Sequence, residues 1–431
     1  MLEEQFIDIL NHEMVKTVGC TEPTAIVIAA AQAKKYINGD VVHINVKASR
    51  NILKNAFSVK IPGTCSCGIN LAAALGTMGL DPEKNLEILS DLKDEDIEKA
   101  KNMVDSGLVS VELAESPKKI YVEVGVETEE SCSRAVIEDF HDNVVLIEVD
   151  GAKKKLKNNP KALHEDVLKM DNVNLDSIIE FINCVDTAKL DMIKNCIAMN
   201  VNIGFEGLKN NYGLKVGKSI KSNIEGNILA NDYSSHAIAL TAAGSDARMA
   251  GCNLPVMSNS GSGNQGISAT IPVVAFAENI NSNEETVLRA VTLSNLVTIY
   301  IKSILGRLSP LCGATISSIG ACCGIVFLIG GTSDDIKSSI QNSMGNITGI
   351  ICDGAKSGCA LKVATCTSAA FQSAICIMDG NYLSSTDGII EDNPEDTIKN
   401  FAKIGNQGMF DTDKIVLDVM MKKANLNHEI K

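Results

Sequence analysis

Apolar residues first recur at helical spacing. Phe6, Ile7, Leu10 and Met14, continued by Val18, fall near one face of residues 3–17 and predict an amphipathic helix. After Val18-Gly19-Cys20-Thr21-Glu22-Pro23 comes a second helical stretch, apolar over residues 26–33. Thr21 is its candidate cap, and Pro23 falls in the first turn, where a missing N–H costs nothing. The period then drops to two. Val42, Ile44 and Val46 alternate, as do Phe57, Val59 and Ile61, which predicts two strands joined by a polar loop over residues 49–55. Helical patterns follow near 68–79 and 95–106, then strands near 109–113 and 120–126. A hairpin is expected to turn at Asp142-Asn143, between strands at 137–140 and 144–149. Residues 151–166 are rich in Lys and Asn, contain Pro160, and read as a solvated linker.

Beyond about residue 167 the alternation disappears, and helical patterns rich in small residues run almost to the end. The fold expected is therefore α+β: an N-terminal mixed α/β domain over residues 1–166, then an all-helical domain over 167–431. No fixed-period repeat is visible.

The densest run of small residues lies between two glycine-flanked cysteines. It opens Ser309-Pro310-Leu311-Cys312-Gly313 and closes Gly349-Ile350-Ile351-Cys352-Asp353-Gly354. Ala, Ser, Gly, Cys and Ile dominate residues 313–331 and predict a tightly packed buried helix, while Thr332-Ser333-Asp334-Asp335 starts another. Ile336, Ile340 and Ile347 repeat on one face of that second helix. Two helices thus bring two cysteine-bearing loops back to one place. Glycine beside cysteine leaves the main chain open to the close approach that a large inorganic cofactor requires.

Composition narrows the class. A chain of 431 residues is long enough for two cores, and 45% hydrophobic with 21% charged residues describes a globular protein. The net charge of -14, without any long basic block, argues against nucleic acid or a membrane surface as partner. Apolar runs such as residues 271–277 fall short of a membrane span. The start, Met1-Leu2-Glu3-Glu4-Gln5, is acidic and unlike a signal peptide, and 14 cysteines without an export signal fit a reducing cytoplasm. Most of these thiols must be packing residues. No zinc signature of two close pairs appears: Cys65-Ser66-Cys67 is too tight, and Cys322-Cys323 sits inside an apolar run.

Cys20 differs from the packing cysteines because it stands at a helix start, where the dipole and free amides favour a thiolate. In the helical half, Ser258, Asn259, Ser260 and Gly261 lead through Ser262 and Gly263 to Asn264, Gln265 and Gly266. Glycine-rich backbone feeding a helix start offers free N–H groups to an anion, a carboxylate as well as a phosphate. It is no Walker loop, because no Gly-Lys-Ser/Thr follows.

Taken in order, Gly19-Cys20-Thr21-Glu22-Pro23, Ile61-Pro62-Gly63-Thr64, residues 258–266, Cys312 and Cys352-Asp353-Gly354 resemble the L-cysteine desulfidase family, which is related to the iron–sulfur L-serine dehydratases. The resemblance covers essentially the full length. It implies a four-iron four-sulfur (4Fe-4S) cluster held by Cys20, Cys312 and Cys352, at a site between the two domains. The serine dehydratases take their third ligand shortly after the Cys-Asp motif, so Cys359 and Cys366 are the alternatives to Cys20. It also implies a lyase that breaks L-cysteine into sulfide, ammonia and pyruvate, with the substrate thiolate on the open iron.

For that reaction the amides of residues 258–266, with Asn264 and Gln265, are expected to hold the substrate carboxylate. Asn51, Lys54 and Asn55 are expected to close from the other domain, and the candidate bases are Lys54, Lys356 and His236. Rival readings are an iron–sulfur L-serine dehydratase, a pyridoxal-phosphate lyase, and a non-catalytic iron–sulfur redox or sensor protein. The expected partner is the small molecule L-cysteine, with a homodimer as the expected assembly.

Overall fold

The computed structural model describes residues 2–64, 66–156 and 170–429. It shows the α+β organisation expected, a sheet in the N-terminal part followed by helices. Six strands pair in the order Val109–Leu113, Val41–Ala48, Tyr121–Thr128, Cys132–Glu138, Val144–Val149, Ala152–Leu156. Only the first pair is parallel. Alternation sets the faces: Ile44, Val46, Val122, Val124 and Val126 all point inward. Against that face lies the helix Thr21–Lys34, buried from Thr21 to Ala33. A helix covered all round can be apolar all round, which is why its sequence shows no polar stripe.

Two local expectations are corrected. Residues 49–55, read as a loop, form the helix Arg50–Ala56, because Ile52, Leu53 and Ala56 face the core together at helical spacing. The strand read at 57–61 is absent: Val59 and Ile61 are buried but face no partner strand, and only an isolated bridge pairs Lys60 with Cys67. Three alternating residues beside Pro62 were too few to specify a ladder. The segment read as a linker begins as the strand Ala152–Leu156, while residues 157–166, with Pro160, lie outside those described, as does Cys65.

The two ends of the chain exchange places. The first helix, Leu2–Glu13, packs Phe6 and Leu10 into the helical core, with the Phe6 ring 4.7 Å from Phe181. The last helix, Thr412–Glu429, packs on Arg50–Ala56 and lends Leu417 to the sheet core. Each part is thereby tied to the other, and the cleft between them is braced at both ends.

Small residues set the spacing of the central helices. A Cβ added at Gly320, in the helix Gly313–Leu328, would lie 2.2 Å from the Ser294 carbonyl oxygen in Glu284–Leu305. Two helices, Glu284–Leu305 and Cys359–Met378, are long and apolar enough to cross a membrane, although no such run stands out in the sequence. In the fold, 78% of the most apolar 18-residue stretch of the first and 56% of that of the second are buried inside the protein.

Candidate active site

The two cysteine loops of the helical half are tied together by main-chain hydrogen bonds. The Cys312 N–H donates to Ile350 O at 2.9 Å, and the Cys352 N–H donates to Pro310 O at 2.6 Å. Leu311 and Ile351 form the bridge between them. Cys312 stands immediately before the helix Gly313–Leu328, and Cys20 immediately before Thr21–Lys34. Neither side chain caps its helix, so both thiols are left to face the space at the helix N-termini.

That space is one cavity between the two parts of the chain. Cys20, Cys312, Cys352 and Cys359 line it, with Glu22 and Asn55 from the sheet side. Arg248, Ser262 and Asn264 complete it from the helical side. Burial pushes the Cys20 thiol well up, and the Glu22 carboxylate adds to the effect. Burial also raises Cys312, with Cys352 next in importance, and raises Cys359. Thiols gathered around one polar space make a poor hydrophobic core and a set of soft ligands.

Three buried polar atoms in the same cavity have no hydrogen-bond partner among the described residues: Asn55 Oδ1, Asn264 Oδ1 and Arg248 Nε. Leaving such atoms unsatisfied costs about 1–3 kcal/mol each, so their convergence points to a polar ligand. Arg248 is 3% exposed, and it is held against the backbone of Gly263, where an added Cβ would lie 2.2 Å from Nε. No group of His, Cys, Asp and Glu among the described residues is arranged to hold a single metal ion. An iron–sulfur cluster spreads its thiolates around a larger body, and four cysteines around one cavity fit that requirement.

Glu22 is the one carboxylate among the described residues lining the cavity. Its Oε2 accepts from the Cys20 thiol and the Thr21 hydroxyl, each at 3.1 Å, and its Oε1 accepts from Asn55 Nδ2 at 2.9 Å. His141 Nε2 stands 4.0 Å from Oε1. Burial opposes ionisation of Glu22, yet His141 and these hydrogen bonds hold its pKa below the usual carboxylate value.

The expected site residues divide into three groups. Cys20, Cys312, Cys352, Asn55 and Asn264 line the cavity. Ser258, Asn259, Ser260, Gly261 and Gln265 instead build the loop around it. Ser258 Oγ donates to Val15 O at 2.6 Å, Asn259 Nδ2 to Asn295 Oδ1 at 2.9 Å, and Gln265 Nε2 to Asn259 O at 2.9 Å. Ser260 bonds Asn259, and the Gly261 carbonyl accepts from Thr21 Oγ1 at 3.0 Å, which joins this loop to the helix start carrying Cys20.

The third group lies off the cavity. Lys54 is buried in an ion pair with Asp413, and its Nζ reaches the Cys352 carbonyl at 3.4 Å. Asn51 lines a neighbouring cleft, and Lys356 pairs with Asp353. His236 is exposed and bonds Asn231 at 2.7 Å. Of the two alternative ligands, Cys359 lines the cavity, while Cys366 sits behind it with its Sγ 3.9 Å from Thr315 Oγ1.

Glu22, His141, Arg248 and Ser262 were not singled out from the sequence. Arg248 left a signal, as the only Lys or Arg in the helix Tyr233–Met249, otherwise built largely of small residues. His141 left none, since only the fold brings a hairpin turn to the helix start at Glu22.

Comparison with known proteins agrees with this geometry. Residues 83–418 match the family described as serine dehydratase alpha chain. A UPF0597 protein of Oleidesulfovibrio alaskensis is 43% identical over 419 residues, which are 97% of this chain and 98% of the relative. UPF0597 proteins of Clostridium perfringens and Phocaeicola vulgatus are 41% and 40% identical, covering 99% and 97% of this chain and 100% and 98% of their own lengths. With a thiol-lined cavity at the meeting of its two parts and a match over most of its length, the chain belongs to the serine dehydratase alpha chain family, a group of iron–sulfur lyases.

Proposed function

We propose that this chain is an L-cysteine desulfidase, a carbon–sulfur lyase that converts L-cysteine to sulfide, ammonia and pyruvate. The observation that carries the reading is the convergence in one cavity of Cys20, Cys312 and Cys352 with three buried polar atoms that have no partner among the described residues. Those three thiols would hold a four-iron four-sulfur cluster. When bound, it supplies an open Lewis-acidic iron suited to a soft sulfur donor.

The chain's own groups supply the rest. Arg248, the cation among the described residues lining the cavity, would bind the substrate carboxylate, with Asn264 and Ser262 lining the same space. Glu22 is the group placed to take the α-proton, on the oxygen that now accepts from Cys20 and Thr21. Loss of that proton and of the Cβ–S bond leaves aminoacrylate, which tautomerises and hydrolyses to pyruvate and ammonia outside the need for further catalysis.

The choice of cysteine over serine rests on what lines the cavity. A departing hydroxide needs a proton, whereas sulfur leaves as the thiolate or sulfide. Glu22 could return the α-proton to a leaving oxygen, so the preference for cysteine rests on the thiols that line the cavity and on the match of a soft substrate thiolate to iron. L-serine dehydration is the second reading, favoured by the family to which the chain belongs. Parallel anaerobic assays separate them, with pyruvate as the common product. We expect sulfide release from L-cysteine at a much higher kcat/KM than pyruvate formation from L-serine. A preference for serine establishes the dehydratase, and no pyruvate from either substrate supports a sensor.

A further inference from the structure

A second cleft lies between the two parts of the chain, with a volume of about 460 Å³. One wall is the turn entering the strand Tyr121–Thr128, and the other is the end of the helix Glu284–Leu305 with the residues that follow it. In a chain of net charge -14 this cleft gathers Lys118, Lys119, Lys302 and Arg307 against two acids, Glu13 and Asp139. Both acids are already engaged, Asp139 with Lys118 at 2.9 Å and Glu13 with Arg307. Two ammonium groups remain over.

Lys302 is 4% exposed, and its Nζ donates to the Arg307 carbonyl at 2.7 Å. Lys119 Nζ donates to the Leu308 carbonyl at 3.0 Å and to Asn406 Oδ1 at 3.4 Å. Among the described residues neither has a carboxylate ion-pair partner. Carbonyl dipoles alone compensate a buried cation poorly, and like charges nearby add to the cost. Burial, then Lys119 and Arg307, drive the Lys302 pKa down to about 7, which agrees with that shortage of negative charge.

We propose that this cleft binds a small oxyanion, a carboxylate or a phosphate group, between Lys302 and Lys119. The site is separate from the thiol cavity but shares a wall with it. Ser260 lines the cleft, while Ser262 and Asn264 of the same loop line the thiol cavity. Arg307 Nη1 would lie 3.5 Å from a Cβ at Gly261, so the cleft's cations reach the turn of that loop. No group of the proposed lyase reaction accounts for Lys302.

Isothermal titration of the anaerobically purified full chain with inorganic phosphate, and separately with pyruvate, tests the site. At least one anion is expected to bind saturably, and which one does so identifies the phosphate or the carboxylate as the preferred group. Lys302→Met is expected to weaken binding by about tenfold, the equivalent of about 1.4 kcal/mol. Lys119→Gln, at an exposed side chain that leaves the core intact, is expected to weaken it as well. Lys84→Gln, on the surface beside Asp91, serves as the control and leaves affinity unchanged. Absence of saturable binding by either anion, or unchanged affinity in both cleft variants, overturns the proposal. So does a greater loss in Arg248→Gln than in Lys302→Met, which would place the anion in the thiol cavity instead.

Discussion

The Cys20 thiol donates to Glu22 Oε2 at 3.1 Å, so a candidate cluster ligand and the cavity's carboxylate are joined in the first turn of one buried helix. Were Cys20 to hold iron as a thiolate, Oε2 would lose this donor and keep the Thr21 hydroxyl at 3.1 Å. Glu22→Gln preserves size and most hydrogen bonds but cannot take a proton. It is expected to lower kcat by about 10²–10⁴, the usual contribution of a positioned general base, with iron content unchanged. Iron and pyruvate assays on the same preparation check this, and retained activity removes Glu22 from the chemistry.

Iron content also sorts the cysteines. Cys20→Ala, Cys312→Ala and Cys352→Ala are each expected to lose iron and activity together. Cys132→Ala and Cys376→Ala, at exposed thiols, are expected to lose neither. Cys359→Ala decides the third ligand, because Cys359 lines the same cavity. Full iron in Cys20→Ala with loss in Cys359→Ala assigns the ligand to Cys359.

Gly263 is the position through which the carboxylate site can be tested without touching a thiol. A Cβ there would displace Arg248, so Gly263→Val is expected to raise KM for L-cysteine by about tenfold or more while sparing iron. Cysteamine, which keeps the thiol but lacks the carboxylate, should neither react nor compete as well as 3-mercaptopropionate. Equal competition by the two thiols moves the carboxylate site away from Arg248.

Lys54 and Asp413 form a buried pair that ties the last helix to Arg50–Ala56. Asp413→Asn leaves a buried ammonium unpaired and is expected to cost about 3–5 kcal/mol in urea unfolding. Lys54→Met with Asp413→Leu removes both charges and should restore much of that loss. An active double variant shows Lys54 to be structural, whereas a stable but inactive one returns it to the list of bases.

Lys302 makes a pH-dependent contribution to stability. Its folded pKa of about 7 lies below the value of about 10.4 in an unfolded chain. Below pH 7 both states hold the proton, and the folded state bears the full cost of the buried charge. Between about 7 and 10.4 the unfolded state binds more protons, so stability rises with pH by up to about 1.4 kcal/mol per unit relative to Lys302→Met. Glu13, Lys119, Arg307 and Cys352 set the field at this ammonium, and all are common to both proteins. Urea unfolding of the pair at pH 6 and pH 9 reads the difference, and a constant difference refutes it.

Most of the alternating strands, the helix start at Thr332, which is a capping box, and the return of Cys312 and Cys352 to one place were legible along the chain. These are local: period, cap chemistry and the length of the intervening helix pair fix them before any distant contact forms. Residues 49–61 were not legible, because helical and strand spacings cannot be told apart when only three or four apolar residues are available. Which polar groups face the thiols is set by long-range packing. Glu22, Asn55, Arg248 and Asn264 come from four separate segments, and residues 258–266 turn Ser262 and Asn264 into the cavity while Asn259 and Gln265 brace the loop. The exchange of terminal helices is likewise invisible along the chain, since an amphipathic helix states that it needs a partner and not which core supplies it.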